Sequence, residues 1–196
     1  GNGALLPVAS LMMMGQHNVS NALAALTLIH ALGIDWSAAI TVLRSYHGEP
    51  HRCQFVRSVQ GVDFINDSKG TNVGATLAAI EGMERPLVLI MGGLAKGQDF
   101  SPIATALAKR SCRAVVLIGQ DAPVIEAALA GLALTIQTVP TLTEAVSTAY
   151  SHALPMDAVL FSPACASMDM FSNYLQRGEA FITEVSELAM DLGEVV

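Results

Sequence analysis

A chain of 196 residues with 52% apolar side chains is long enough to bury a substantial core. The formal net charge is -7, and the ten Lys and Arg residues are scattered rather than gathered into a stripe, which argues against nucleic-acid binding. No apolar run approaches the roughly 20 residues of a membrane-spanning helix. Ala4 to Met14 is interrupted by Pro7 and Ser10, and Ala22 to Leu32 by Thr27 and His30, so no membrane insertion is expected.

No basic segment leads into an apolar stretch and a small-residue cleavage site, so no secretory signal is read, and the start at Gly1 looks like a cut inside a longer protein. Cys53, Cys112 and Cys165 are odd in number and widely spaced, which suits reduced thiols in a cytoplasm. Cys165 is read as a small buried hydrophobe rather than a nucleophile.

In chain order, Ala22, Leu23, Ala25, Leu26 and Ile29 recur at helical spacing and predict a helix over Asn18 to Leu32, stopped by Gly33. A second helix runs from Trp36 to Tyr46 behind Asp35 as N-cap, and His47 to Pro50 reads as a linker. Gln54 to Val59 and Val62 to Asn66 are short strands around a Gln60-Gly61 turn, a hairpin pattern, and a helix follows over Val73 to Glu81. Apolar runs at Leu87 to Met91, Ala114 to Ile118, Leu134 to Val139 and Ala158 to Phe161 each precede a helical pattern. Those helices are Pro102 to Lys109, Ala122 to Leu129, Leu142 to His152 and Met170 to Leu192. The alternation implies an α/β fold, a Rossmann-like, mostly parallel sheet with helices on both faces. Ligands in such sheets sit beyond the carboxyl ends of the strands, which singles out Asn66 to Asn72, Gly92 to Phe100, Gly119 to Asp121 and Ser162 to Asp169.

The first of these loops offers Asp67, Ser68, Lys69 and Thr71 between a strand and a helix, a set that suits an anionic ligand. A plain helix-capping loop with solvated charges fits the same spacing. Gly92 to Gly97 matches neither a P-loop nor a dinucleotide fingerprint; what remains is a flexible loop presenting Lys96, either to a small carboxylate or to solvent as a turn lysine. Ser162 to Ser167 is built of small residues whose amides can approach a ligand; Ser167 is read as a binding hydroxyl or a helix cap, not a nucleophile, since no base can be placed beside it. His47 and His51 have metal-like spacing, but Gly48 and Pro50 lie between them and no further ligand is at hand, so no metal site is assigned. Arg52, beside the linker, suits a phosphate clamp between domains.

Taken together, Gly15-Gln16-His17-Asn18-Val19-Ser20-Asn21-Ala22, Pro50-His51-Arg52 and Asn66 to Asn72 resemble the Mur ligase family, ATP-dependent amide-forming enzymes of peptidoglycan precursor synthesis. The Ser162 to Asp169 segment with Phe171, Asn173 and Gln176-Arg177-Gly178 is similar to its D-glutamate-adding branch. That resemblance implies residues 1–49 as the end of a central ATP-binding domain and residues 50–196 as an amino-acid-binding domain. It implies ATP contacts at Asn18, Asn21, Arg52 and Asp67, a catalytic Lys69 that offsets phosphoryl charge, and D-glutamate contacts at Thr71, Lys96, Ser167, Met168 and Tyr174. Tyr174 stands where many relatives have Phe.

The partners implied are UDP-N-acetylmuramoyl-L-alanine and D-glutamate, the cofactors ATP and Mg2+, and the state a cytoplasmic monomer. The UDP-binding domain, the P-loop and the magnesium ligands are expected in preceding sequence, so this segment alone is not expected to turn over substrate. A folylpolyglutamate synthase-like ligase and a non-catalytic Rossmann-like binding module are the competing readings.

Overall fold

The computed structural model describes residues 5–13 and 16–194, without the side chains of Gln16 and His17; Gly1 and Gly15, both touched on above, lie outside it. After a 3-10 turn at Val8–Ser10 come α1 (Gln16–Ala31) and α2 (Trp36–Ser45). Gly33 ends α1 at φ +70, a left-handed position that lets Gly33 N and Ile34 N reach back to His30 O and Ile29 O. Asp35 starts α2, its carboxylate accepting from Ser37 N at 3.3 Å. These two helices are thinly covered: Ala22 and Leu26 are buried on α1 and no residue on α2, while Leu23, Leu28, Leu32 and Val42 are exposed.

The hairpin β1 (Gln54–Val59) and β2 (Val62–Asn66) turns on Gln60 and Gly61, both at positive φ (45 and 84), as a two-residue connection between twisted strands requires. There follow α3 (Val73–Gly82), β3 (Leu87–Gly92), α4 (Ser101–Leu107), β4 (Cys112–Ile118) and α5 (Ala122–Leu129). The chain closes with β5 (Thr135–Thr138), α6 (Leu142–His152), β6 (Ala158–Phe161) and α7 (Tyr174–Asp191). The strands form one sheet in the order β1-β2-β6-β3-β4-β5, in which the β1–β2 pairing is antiparallel and the other four are parallel.

The expected α/β layering is present. Along β3 successive side chains point to opposite faces, so Leu87, Leu89 and Met91 join Ile80, Ile103 and Ile125 under α3, α4 and α5, while Val88 and Ile90 join Val146 and Phe181 under α6 and α7. Burial on both faces explains the uninterrupted apolar run, each large aliphatic contributing on the order of 1.5–3 kcal/mol.

The last helix begins at Tyr174, not at Met170 as the apolar pattern predicts. Ser167 O accepts from both Met170 N and Phe171 N in a separate turn, after which Asn173 is extended and its side chain caps Gln176 N at 2.9 Å. β5 is shorter than expected; it is an edge strand with three of its four residues exposed. Among the described residues no helix is long and apolar enough to cross a membrane.

Topology places the site. The chain leaves β2 and β3 towards the face of α3 and α4, but leaves β6, which lies between them, towards the opposite face and α7. Such a divergence, here at the carboxyl ends of β2, β6 and β3, is where α/β sheets generally hold ligands.

Candidate functional site

Because β2, β6 and β3 are neighbours, the loops 66–72, 162–173 and 92–100 leave the sheet side by side. Direct bonds tie them together. Leu94 and Ala166 exchange backbone hydrogen bonds of 2.9 and 3.0 Å, and Gly92 N donates to Pro163 O at 3.0 Å. The neighbouring strand approaches Gly92 closely: a Cβ there would fall 1.8 Å from Ile118 O, with φ at +127, so only glycine fits where the lysine loop departs. Thr71, half-buried, Lys96, exposed at a left-handed φ of 54, and Ser167, 4% exposed, therefore sit on three adjoining loops, with exposed Met168 beside Ser167.

Lys69 and Tyr174 meet across the rim. The ammonium of Lys69 lies 3.8 Å from the centroid of the Tyr174 ring, an arrangement that holds a cation on a π face. The Tyr174 carbonyl also accepts from the Ser68 hydroxyl at 2.8 Å, which ties the start of α7 to the loop 66–72. Behind them Arg177, 1% exposed, reaches from α7 into both loops: its Nε donates to Ser68 Oγ (3.1 Å), its Nη2 to Ser68 O (2.9 Å) and its Nη1 to Cys165 O (3.1 Å). Burial lowers the Arg177 pKa to about 10, which leaves the guanidinium charged at neutral pH.

Asp67 is 7% exposed and already engaged. Its Oδ2 accepts from the Ser162 hydroxyl at 2.7 Å and its Oδ1 from Cys53 N at 3.2 Å. Burial raises its pKa to about 6 against the pull of those hydrogen bonds and of Arg52. The cysteines are held as thiols by burial, Cys112 and Cys165 at about 12 and Cys53 higher still, so none is poised as a nucleophile.

The four residues expected at the nucleotide come together. Asn18, Asn21, Arg52 and Asp67 line one cavity of about 170 Å³ with Lys69 and Gly70. An adjoining cavity of about 360 Å³ shares Asn18, Asn21 and Arg52 and extends to Tyr46, Gly48 and Glu49. His51, next to Arg52, points the other way and is 2% exposed. Asn66 Nδ2 donates to His51 Nδ1 at 3.0 Å and to Gly178 O at 3.1 Å, which puts the imidazole proton on Nε2, facing Glu179 at 3.4 Å. Burial lowers the His51 pKa although Glu179 opposes it, and a Cβ at Gly178 would fall 2.2 Å from the ring. His51 thus locks the linker against α7.

Among the described residues no group of three or more His, Cys, Asp or Glu side chains could hold a metal ion. Sequence reasoning left Arg177 outside the site. The signal was there: Arg177 heads the stripe Phe181, Val185 and Ala189, so a charged residue occupies a core position of α7.

The fold is an α/β domain whose loops 66–72, 92–100 and 162–173 meet where the strand connections diverge, with a polar cleft against a preceding helix. The chain belongs to the family of the Mur ligase, glutamate ligase domain, whose model matches residues 51–165. It is 53% identical over 98% of its length to the UDP-N-acetylmuramoylalanine--D-glutamate ligase of Bordetella avium and 49% identical over 96% to that of Burkholderia mallei. It spans 38% and 37% of the length of those two relatives. Among solved structures it is similar to the UDP-N-acetylmuramate-alanine ligase of Thermotoga maritima (TM-score 0.64, 19% identity, 88% of this chain and 38% of that one). It is also similar to the folylpolyglutamate synthase of that organism (TM-score 0.59, 16% identity, 88% and 40%). At such identities these two likenesses establish the fold alone.

Proposed function

We propose that the full-length protein carrying this chain is an ATP-dependent ligase that joins D-glutamate to UDP-N-acetylmuramoyl-L-alanine in cytoplasmic peptidoglycan precursor synthesis. The supporting observation is the meeting of the Thr71, Lys96 and Ser167 loops at one rim, in a chain 53% identical to a D-glutamate ligase. Residues 1–49 belong on this reading with the nucleotide-binding domain and residues 50–196 form the amino-acid domain. Gly48 and His51, both at positive φ (88 and 62), mark the link between them.

The chemistry runs in two displacements. A carboxylate oxygen of the alanyl group takes the γ-phosphoryl of ATP and ADP leaves. The amine of D-glutamate then attacks the acyl carbon, the C–N bond forms, phosphate departs with the C–O electron pair, and the amine releases a proton. This chain contributes positioning: Lys96 and the Ser167 loop hold the carboxylates of D-glutamate so that its amine faces the acyl carbon. Met168 and Tyr174 flank that pocket, and Lys69 moves from the Tyr174 ring to offset charge on the phosphoryl group. Asn18, Asn21, Arg52 and Asp67 line the adenine nucleotide's cleft. Magnesium bound with ATP would supply charge screening of its phosphates.

Phosphate release by the full-length protein with ATP and UDP-N-acetylmuramoyl-L-alanine tests the reading. D-glutamate should stimulate release by about 100-fold over L-glutamate or a folate, since a chiral pocket that hydrogen-bonds its ligand rejects the wrong hand strongly. Preference for L-glutamate, or folate-dependent turnover, would replace this function with that of a folylpolyglutamate synthase. No turnover with any acceptor would leave a binding module.

A further inference from the structure

We infer that Gln98 is a positioning residue that sets the spacing of the three loops around the acidic amino acid, an inference that rests on the rim being the D-glutamate pocket. Gln98 is half-buried, two residues beyond Lys96. Its Oε1 accepts from Val73 N at 2.9 Å, while its Nε2 donates to Ala95 O at 2.9 Å and to Ala164 O at 3.0 Å. One planar amide therefore spends its acceptor and both donor hydrogens on backbone groups of three separate segments. The partners fix its orientation, because two carbonyls require the NH2 end and one N–H requires the oxygen.

Each anchor adjoins a proposed ligand contact. Val73 lies two residues after Thr71, Ala95 one before Lys96, and Ala164 three before Ser167. Lys96 itself is exposed on a turn followed by Gly97, held by the Asp121 carboxylate on Ala95 N at 2.7 Å and by Gln98 on Ala95 O, so loss of Gln98 gives its ammonium more positions to sample. Gln98 reaches the ligand only through Thr71, Lys96 and Ser167. Its loss should therefore loosen the pocket while leaving the nucleotide cleft, which is lined by other residues, as it was.

The test uses the full-length protein and the variants Gln98→Ala, Gln98→Met and Gln98→Glu, comparing kcat, the KM of each substrate and the thermal midpoint. In the Ala and Met variants KM for D-glutamate should rise about tenfold or more, as misplaced binding groups cost, while KM for ATP changes less than about twofold. Gln98→Glu keeps the acceptor but sets a carboxylate against two carbonyl oxygens. Its KM for D-glutamate, relative to wild type at the same pH, should fall as the pH is lowered and the acid becomes a donor.

An unchanged D-glutamate KM in all three variants would overturn the inference. So would a joint shift of every KM, kcat and the thermal midpoint, which is the signature of a general packing role. A wild type that does not use D-glutamate would sink the underlying reading and the positioning role with it, whereas an active wild type with unaffected variants would sink the positioning role alone.

Discussion

Arg177→Ala is expected to lower folding stability by about 3 kcal/mol or more, seen as a fall in the urea midpoint at constant m. The guanidinium is buried beneath the rim and supplies three donors to Ser68 Oγ, Ser68 O and Cys165 O. Truncation takes the guanidinium from the Ser68 and Cys165 carbonyls, leaves the Ser68 hydroxyl its bond to Tyr174 O, and opens a cavity beside Phe161, whose ring lies 5.9 Å from the guanidinium carbon. Relief from holding a charge in a dry site offsets part of the loss, but an orphaned buried acceptor costs roughly 1–3 kcal/mol each, so the balance remains unfavourable. Arg177→Lys keeps the charge without the planar fork and should fall between wild type and Arg177→Ala. A loss below about 1 kcal/mol for Arg177→Ala would mean that the two loops hold their places without it.

The second large effect concerns pH. Asp67 titrates near 6 in the folded protein against 3.8 for an ordinary aspartate, so between those values the folded state binds the extra proton. The sign follows from the raised pKa: the contribution favours folding fully below about 3.8 and is lost as the pH rises through about 6. Relative to Asp67→Asn, wild-type stability should therefore decline by at most about 3 kcal/mol between about pH 4 and about pH 7. Urea melts of both proteins across that range measure it. A difference that stays flat, or that grows with pH, would contradict the burial argument.

How much of this was legible in the sequence depended on whether a residue's role was local or tertiary. The hairpin at Gln60-Gly61, the cap at Asp35 and the stop at Gly33 follow from short-range backbone preferences, and the structure contains all three. The fully buried β3 followed from an unbroken apolar run between turn signals. The start of α7 did not, because Met170 and Phe171 continue the apolar spacing while their amides are drawn to Ser167 O, a competition that periodicity cannot register.

At the site, the sequence pointed to loops at the carboxyl ends of strands, yet the strand order that makes 66–72, 92–100 and 162–173 neighbours is a property of the sheet. Arg177 was visible as a charge on a core stripe. Gln98 carried no signal: a polar residue in a polar loop looks like any other until its three backbone partners are known.

Hydrogen exchange on the full-length protein tests the central claim most directly, with D-glutamate added to the unreactive complex with ADP and the sugar nucleotide. Slower exchange should be centred on 66–72, 92–100 and 162–173, leaving the hairpin turn 60–61 at the other end of the sheet unchanged. Protection at 60–61, with 92–100 and 162–173 exchanging as before, would place the amino acid elsewhere and contradict the account.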